Sequence, residues 1–344
     1  MTAAITLWET LAMGENEPTY RKVLDALKVQ PSTHISGTLL ASRLQLTRTA
    51  VWKHIRTLKS MGYNIQAHPK KGYILADVPD LLIPEEITPH LRTTWLGRTY
   101  LHYRETGSTN DQALSQAALG APHGTVIVAE QQTAGRGRLR RPWLSSPHCG
   151  IYMSILLRAP LPVRDAPQST LVAALSLVKV LREHYQLRAA VKWPNDVLIQ
   201  DKKVAGILTE MQSDQEFTRF LVIGIGINVS HTKDELQAPF RYPATSVAME
   251  LDDRVSRREL LLGFLHEFEQ DFERFLASGF SAIVPALEDA SATLGRNVIV
   301  QCGNSVYSGK AMGLTPEGAL RLQTEDGREE IVWAGDVTML KGER

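Results

Sequence analysis

The chain has 344 residues, 43% hydrophobic and 22% charged, with a formal net charge of +1, a length that accommodates two or three domains with their own cores. No apolar run reaches membrane-spanning length, because Ser176 and Lys179 interrupt the run at 171–181 and the run at 220–229 is too short. The opening segment lacks the basic start of a secretory signal. Two cysteines, Cys149 and Cys302, and scattered histidines exclude a disulfide framework and a His/Cys metal site, and the setting they point to is the cytoplasm, with no membrane partner.

Charge is unevenly placed. Residues 20–76 carry ten lysines and arginines against one acid, Asp25, which leaves about −8 to the rest of the chain. This asymmetry points to a basic module that meets a polyanion, joined to a body with another task. In that module, 20–29 has Val23, Leu24 and Leu27 at helical spacing and Pro31 beyond it. A second helix is expected over 37–45 after Ser36 as N-cap, and a third from Thr47. In the third, Val51, Ile55 and Leu58 face one way, while Thr49, Trp52, Lys53 and Arg56, with Arg48 before them, face the other. Two short strands, 63–66 and 73–75, flank the turn Pro69-Lys70-Lys71-Gly72. The order is a winged helix-turn-helix, in which the third helix suits a major groove and the wing lysines suit phosphates. A protein-interaction module with a solvated basic face is the competing reading. Residues 1–19 form a leader without an assigned role.

Prolines 79, 84 and 89 with intervening acids read as a linker. A strand at 100–104 and a helix at 112–118 then bracket Thr106-Gly107-Ser108-Thr109-Asn110-Asp111, whose small polar groups suit either a helix cap or a polar ligand. The strand 125–130 opens into Gly135-Arg136-Gly137-Arg138-Leu139-Arg140-Arg141-Pro142-Trp143. Its arginines and glycines suit an anion clamp, and a solvated surface loop is the alternative. After the strand 150–157 come Lys192-Trp193-Pro194-Asn195-Asp196 and Lys203-Val204-Ala205-Gly206-Ile207-Leu208, a strand pair on which small residues let a ligand approach the backbone. Gly224-Ile225-Gly226-Ile227-Asn228 ends the strand 219–227; it is not a dinucleotide fingerprint, because Val229 stands where the third glycine belongs. An apolar stripe marks the helix 258–278, and short strands at 297–302, 305–314, 319–324 and 329–333 suggest a small β-barrel.

Together these motifs resemble the bifunctional biotin protein ligase and biotin operon repressor family, over nearly the whole chain from Tyr20 onward. The resemblance implies an α+β multidomain fold: a winged helix-turn-helix at 20–76, a linker at 77–97, a class II aminoacyl-tRNA-synthetase-like mixed α/β domain at 98–290 and an SH3-like β-barrel at 291–344. It implies an ATP-dependent ligase that joins biotin to a lysine of a biotin carboxyl carrier protein, and a repressor on operator DNA whose homodimer is promoted by biotinyl-5'-AMP. By the same resemblance Ser108, Thr109, Asn110 and Gln132 meet the biotin head, Arg136, Gly137 and Arg138 close over biotin and phosphate, and Gly206 lies against biotin. Lys203 is the essential lysine and, with Arg136 and Arg138, the catalytic set; Arg138, Asn228 and Lys192 meet ATP, and Asp196 holds Mg2+. Phe240 or Tyr242, in the loop 231–243, is the candidate to pack on the base. Family members often carry glycine where this chain has Arg140. A lipoate or octanoate ligase, and a small-molecule-sensing transcription factor without ligase activity, are the rival readings.

Overall fold

The computed structural model describes residues 18–29, 33–77, 80–236 and 243–340; residues 1–17 of the leader expected at 1–19 and the candidates Phe240 and Tyr242 lie outside them, and Thr19 opens the first helix. The chain divides into two compact units, with the boundary between Leu81 and Leu82.

In the first unit, helices α1 (Thr19–Lys28), α2 (Gly37–Arg43) and α3 (Arg48–Ser60) precede the antiparallel pair β1 (Asn64–His68) and β2 (Gly72–Asp77). Ser36 and Thr47 cap α2 and α3, accepting from Leu39 N and Ala50 N, which satisfies backbone donors that a helix start leaves open. Val23, Leu24, Leu27, Leu40, Val51, Ile55 and Leu58 make the core. The second helix stops two residues before the expected end, and Gln45 takes a left-handed φ of 54°. Ile35 exchanges two backbone hydrogen bonds with Tyr73, at 2.8 and 2.9 Å, an isolated bridge that ties the segment before α2 to the wing. Gly72 permits this approach: its φ is 95°, and a Cβ there would collide with the Ile35 carbonyl.

The second unit begins with α4 (Pro84–Ile87), β3 (Tyr100–Tyr103), α5 (Thr109–Ala118), β4 (Thr125–Ala129), β5 (Gly150–Leu157), α6 (Gln168–Glu183) and β6 (Ala189–Lys192). It continues through β7 (Asp196–Ile199), β8 (Lys202–Ser213), β9 (Thr218–Asn228), α7 (Val247–Leu251), α8 (Arg257–Ser278) and α9 (Val284–Asp289). The strands form one seven-stranded sheet in the order β3-β4-β5-β9-β8-β7-β6, antiparallel except for β3 with β4. Side chains alternate across it. Val126, Val128, Ile155, Leu157, Leu221 and Ile223 point into the large core shared with α6 and α8, while Ile127, Leu156, Phe220 and Val222 pack on Ala113 and Ala117 of α5. Arg257, at the start of α8 and 1% exposed, donates to Glu130 Oε2 at 2.6 Å and to the Gly150 carbonyl at 3.2 Å, tying α8 to the end of β4.

The expected linker at 77–97 is corrected beyond Leu81. Pro84 opens a helix there, and Leu82, Ile87 and Leu96 are buried. The cause is a distant carboxylate: Glu269 of α8 accepts from the backbone of Thr94, Trp95 and Leu96 at 2.5, 3.0 and 2.8 Å. The last segment adds β10 (Asn297–Cys302), β11 (Ser305–Leu314), β12 (Leu320–Gln323), β13 (Glu329–Val332) and β14 (Asp336–Met339), an antiparallel sheet in the order β13-β12-β11-β10-β14. Five strands form where the hydropathy pattern gave four; β14 pairs back onto β10.

Candidate functional site

The face of the sheet that carries α5 is only partly covered. Along β9, Phe220 and Val222 pack on α5, and the next positions on that face are Gly224, Gly226 and Asn228. Loss of side chains at those glycines opens a cavity of about 500 Å3 floored by backbone. Sheet register then lines it up: Lys192 pairs with Asp196, Asp196 with Gly206, Gly206 with Gly226 and Gly226 with Tyr152, one row across five strands. A Cβ on Gly224 would strike the Asn110 amide, and one on Gly226 the Trp143 indole. The glycines of Gly224-Ile225-Gly226 therefore seat a tryptophan and an asparagine.

One end of the cavity is a shell of amides and hydroxyls. The helix α5 starts at Thr109, three residues earlier than expected, which places Ser108 at its N-cap and Thr109 and Asn110 in its first turn, all three buried. Ser108 makes no side-chain cap, which removes the capping reading for that residue. Gln132 Oε1 accepts from Thr109 N at 2.8 Å and from its hydroxyl at 3.1 Å, and Gln132 Nε2 donates to Ser145 Oγ at 3.0 Å. Ser154 Oγ lies 2.8 Å from Thr109 Oγ1 and 2.6 Å from Asn110 Oδ1, and its one proton goes to the amide oxygen, which can only accept.

The other end is cationic. Arg136, Arg138, Arg141, Lys192 and Lys203 line the cavity against two carboxylates, Asp196 and Asp336, a balance that suits an anionic ligand. Asp196 meets Lys203 Nζ at 2.6 Å and Lys192 Nζ at 3.4 Å. Lys203 also stands 5.4 Å above the Trp143 ring. Arg138 donates to Asn195 Oδ1 and to the Gly335 carbonyl, both at 3.1 Å, and Arg141 pairs with Asp336. The Arg136 fork is held by Asp111 at 2.7 and 2.8 Å and by Glu210 at 3.1 and 3.2 Å. Hydrogen bonding to Asp111 leads the effects that raise its pKa above the usual arginine value. Asn228 donates to the Thr245 carbonyl at 3.1 Å.

The cavity thus brings together Ser108, Thr109, Asn110, Gln132, Arg136, Gly137, Arg138, Lys192, Asp196, Lys203, Gly206 and Asn228. The three catalytic candidates share it from different walls: the guanidinium of Arg136 is turned to Asp111 and Glu210, and that of Arg138 to the loop before β14. Residues that the sequence reading did not assign a role also line it, among them Trp143, Asn195 and Asp336. Trp143 Nε1 is buried without a hydrogen-bond partner among the described residues. The glycine frequent in the family at Arg140 has a backbone reason, since Leu139 and Arg140 are left-handed, with φ of 55° and 56°.

Asp196 was expected to hold Mg2+. Lys192 Nζ donates to its Oδ2 at 3.4 Å, whereas Lys203 Nζ, 2.6 Å from Oδ1, pairs with it by charge alone and leaves that buried oxygen without a hydrogen bond among the described residues. Magnesium is held by one or two carboxylates together with nucleotide phosphates and water, and a buried carboxylate oxygen of this kind beside the cationic wall fits such a role.

On the first unit, Arg48, Thr49, Trp52, Lys53 and Arg56 of α3, with Lys70 and Lys71 of the wing, are all exposed. The Arg56 guanidinium stacks 4.9 Å above the Trp52 ring. No helix among the described residues is long and apolar enough to cross a membrane.

A winged helix on the same chain as a cavity with a polar shell at one end and a cationic wall at the other defines a class: a DNA-binding module joined to an enzyme that handles an acid beside a phosphate. Comparison with known proteins narrows it. Residues 103–228 match the biotin/lipoate A/B protein ligase family, residues 20–74 an HTH domain and residues 293–340 the biotin protein ligase C-terminal domain. The bifunctional ligase/repressor BirA of Bacillus spizizenii is 37% identical over 322 residues, covering 93% of this chain and 99% of that protein. BirA of Escherichia coli is 29% identical over 309 residues, covering 90% of this chain and 94% of that protein. The solved biotin protein ligase of Aquifex aeolicus in complex with biotin and ATP superposes with a TM-score of 0.62 at 29% identity, over 71% of this chain and 100% of that one. The chain belongs to the biotin protein ligase family, in its bifunctional ligase/repressor branch.

Proposed function

We propose that this protein activates biotin with ATP, transfers it to a lysine of a biotin carboxyl carrier protein, and represses biotin genes as a homodimer promoted by biotinyl-5'-AMP. The observation that carries the ligase reading is the single cavity in which a hydroxyl and amide shell adjoins a cationic wall. Ser108, Thr109, Asn110 and Gln132 hydrogen-bond the biotin head, a fit that favours a polar ureido ring over a plain acyl chain. Gly206 lets the ligand lie against the strand, and Gly137, whose N–H donates to the Arg141 carbonyl at 2.8 Å, closes the arginine loop on itself. Lys192 and Asn228 stand on the nucleotide side.

In the first step a carboxylate oxygen of biotin bonds to the α-phosphorus of ATP, and the bond to the leaving pyrophosphate breaks. Lys203 and Arg138 draw the two anions together and offset the charge that builds on the phosphoryl oxygens, so no protein nucleophile is required. In the second step the neutral amine of the acceptor lysine attacks the acyl carbon, and AMP and a proton leave. Trp143, seated on Gly226, and the arginine loop screen the mixed anhydride from water.

The winged helix reads the operator through α3, with Lys70 and Lys71 on phosphates, and two copies in a dimer engage a two-part site. The test is pyrophosphate release on addition of biotin and ATP, followed by label transfer to a carrier domain. Release with lipoate or octanoate instead of biotin, or with neither, overturns the reading. Sedimentation with and without biotin and ATP tests the dimer, and an unchanged monomer overturns it.

A further inference from the structure

Glu210 lies on β8 directly opposite Val222, on the face of the sheet that carries the cavity. Neither the basic loop nor α5 contains it, yet its carboxylate holds one group from each. Oε2 accepts from Asn110 Nδ2 at 2.6 Å, and both oxygens accept from Arg136 Nη2, at 3.1 and 3.2 Å. An ionised carboxylate only accepts, so it dictates which way the Asn110 amide points. With Nδ2 turned to Glu210, Oδ1 is turned to the Ser154 hydroxyl, and the missing side chain at Gly224 leaves room for that pose. Asn110 is 4% exposed and has no freedom to compensate by solvation. Asp111 also holds Arg136, but the Asn110 amide donates to Glu210, and the Asp111 side chain is 54% exposed.

The geometry points to Glu210 as the positioning residue that couples the amide shell to the arginine loop: one carboxylate fixes the Asn110 amide for the biotin head and anchors Arg136 at the root of the loop. The inference rests on the ligase reading above. Glu210 touches no substrate atom; it acts through Asn110 and Arg136. Anything that seats the head against Asn110 also bears on the anchor of the loop, which couples the two through a shared partner.

Full-length Glu210→Gln and Asp111→Asn, each against the unsubstituted protein, separate the two acids. Two readouts are taken: the biotin concentration for half-maximal pyrophosphate release, and the rate of trypsin cleavage within residues 136–141 without ligand and with added biotin. In Glu210→Gln the half-saturating biotin concentration rises about tenfold, with kcat changed by less than about threefold. The loop is cut faster in the same variant, and proportionally more biotin is needed to protect it. In Asp111→Asn the loop is also cut faster, while half-saturation by biotin stays near that of the unsubstituted protein. A Glu210→Gln protein that melts normally and keeps the original biotin half-saturation overturns the proposal, as does an equal rise in Asp111→Asn. If Glu210→Gln does not fold, Glu210→Asp carries the test: the shorter acid reaches one partner at a time, so only one readout recovers, and recovery of neither or of both overturns the coupling. Absence of biotin-dependent pyrophosphate release in the unsubstituted protein sinks the ligase reading instead, and in that event unchanged trypsin cleavage in Glu210→Gln still removes Glu210 as the anchor of the loop.

Discussion

The cations of α3 and the wing are exposed, whereas those that line the cavity of the second unit, and the buried Arg257, are held by fixed partners. Arg48, Lys53, Lys70 and Lys71 are exposed; Arg257, Lys203, Arg138 and Arg136 are tied to Glu130, Asp196, Asn195 and the Asp111–Glu210 pair. The difference separates two uses of positive charge. A mobile, hydrated cation suits a flexible polyanion, where attraction comes with release of counterions and little geometry. A cation fixed in place suits one phosphorus atom, because its orientation is set before the reaction begins.

The largest effect is expected where pairing is most complete. Arg257→Ala leaves Glu130 charged and buried, and the second unit loses about 3–5 kcal/mol by urea unfolding, while the winged helix melts as before. Next is Lys203→Ala, which lowers the rate of biotin-dependent pyrophosphate release about a hundredfold, close to 3 kcal/mol of transition-state stabilisation; near-normal release removes Lys203 from the mechanism. Acid probes two buried groups of the second unit, Glu130 and His231, the latter 3.1 Å from the Tyr152 hydroxyl. Burial pushes the His231 imidazole down to about 4. At Glu130 burial acts upward, but the His102 hydrogen bond and the Arg257 charge outweigh it and hold the carboxyl at about 2.

Both folded values lie below the unfolded ones, about 6.5 for histidine and about 4.3 for glutamate. Stability is therefore fully present above those unfolded values, and is lost as pH falls toward about 4 for His231 and about 2 for Glu130. Between pH 7.5 and pH 5 His231 accounts for a loss of about 2 kcal/mol, and urea midpoints for His231→Gln, measured relative to its own value at pH 7.5, fall less over that window. The smallest effect belongs to the exposed set. Lys53→Ala weakens operator binding by about 1 kcal/mol and flattens the slope of log affinity against log salt by about one unit, with pyrophosphate release unchanged. A salt-independent affinity breaks the comparison.

Much of this was legible in the residues. Ser36 announced the start of α2 because capping is local, and the alternation of Val51, Ile55 and Leu58 with basic residues gave the two faces of α3, which begins one residue after the expected Thr47. The glycines at 224 and 226 were set apart from a dinucleotide fingerprint, though what they accommodate, Asn110 and Trp143, comes from the helix α5 and the arginine loop. The linker at 77–97 misled because its prolines and acids say nothing of Glu269, whose carboxylate collects Thr94, Trp95 and Leu96 from far along the chain. The strand β14 was missed because Asp336–Met339 is short, and its partner β10 is distant in sequence. With it went Gly335 and Asp336, which hold the arginine loop. Glu210 escaped notice for a related reason: two residues past the recognisable Lys203–Leu208 pattern, a glutamate on a strand looks like a solvated side chain until register places it opposite Val222.

Side-chain periodicity, caps and the placement of charge, all readable within a few residues, settled the helices and wing of the first unit, and the family motifs named many of the groups that line the cavity. Which groups meet was decided only when seven strands took their register, since a shift of one residue turns every side chain to the opposite face. Lys192, Asp196 and Gly206 form a row, and Glu210 reaches both Asn110 and Arg136, because of pairings between strands that no local stretch of sequence encodes.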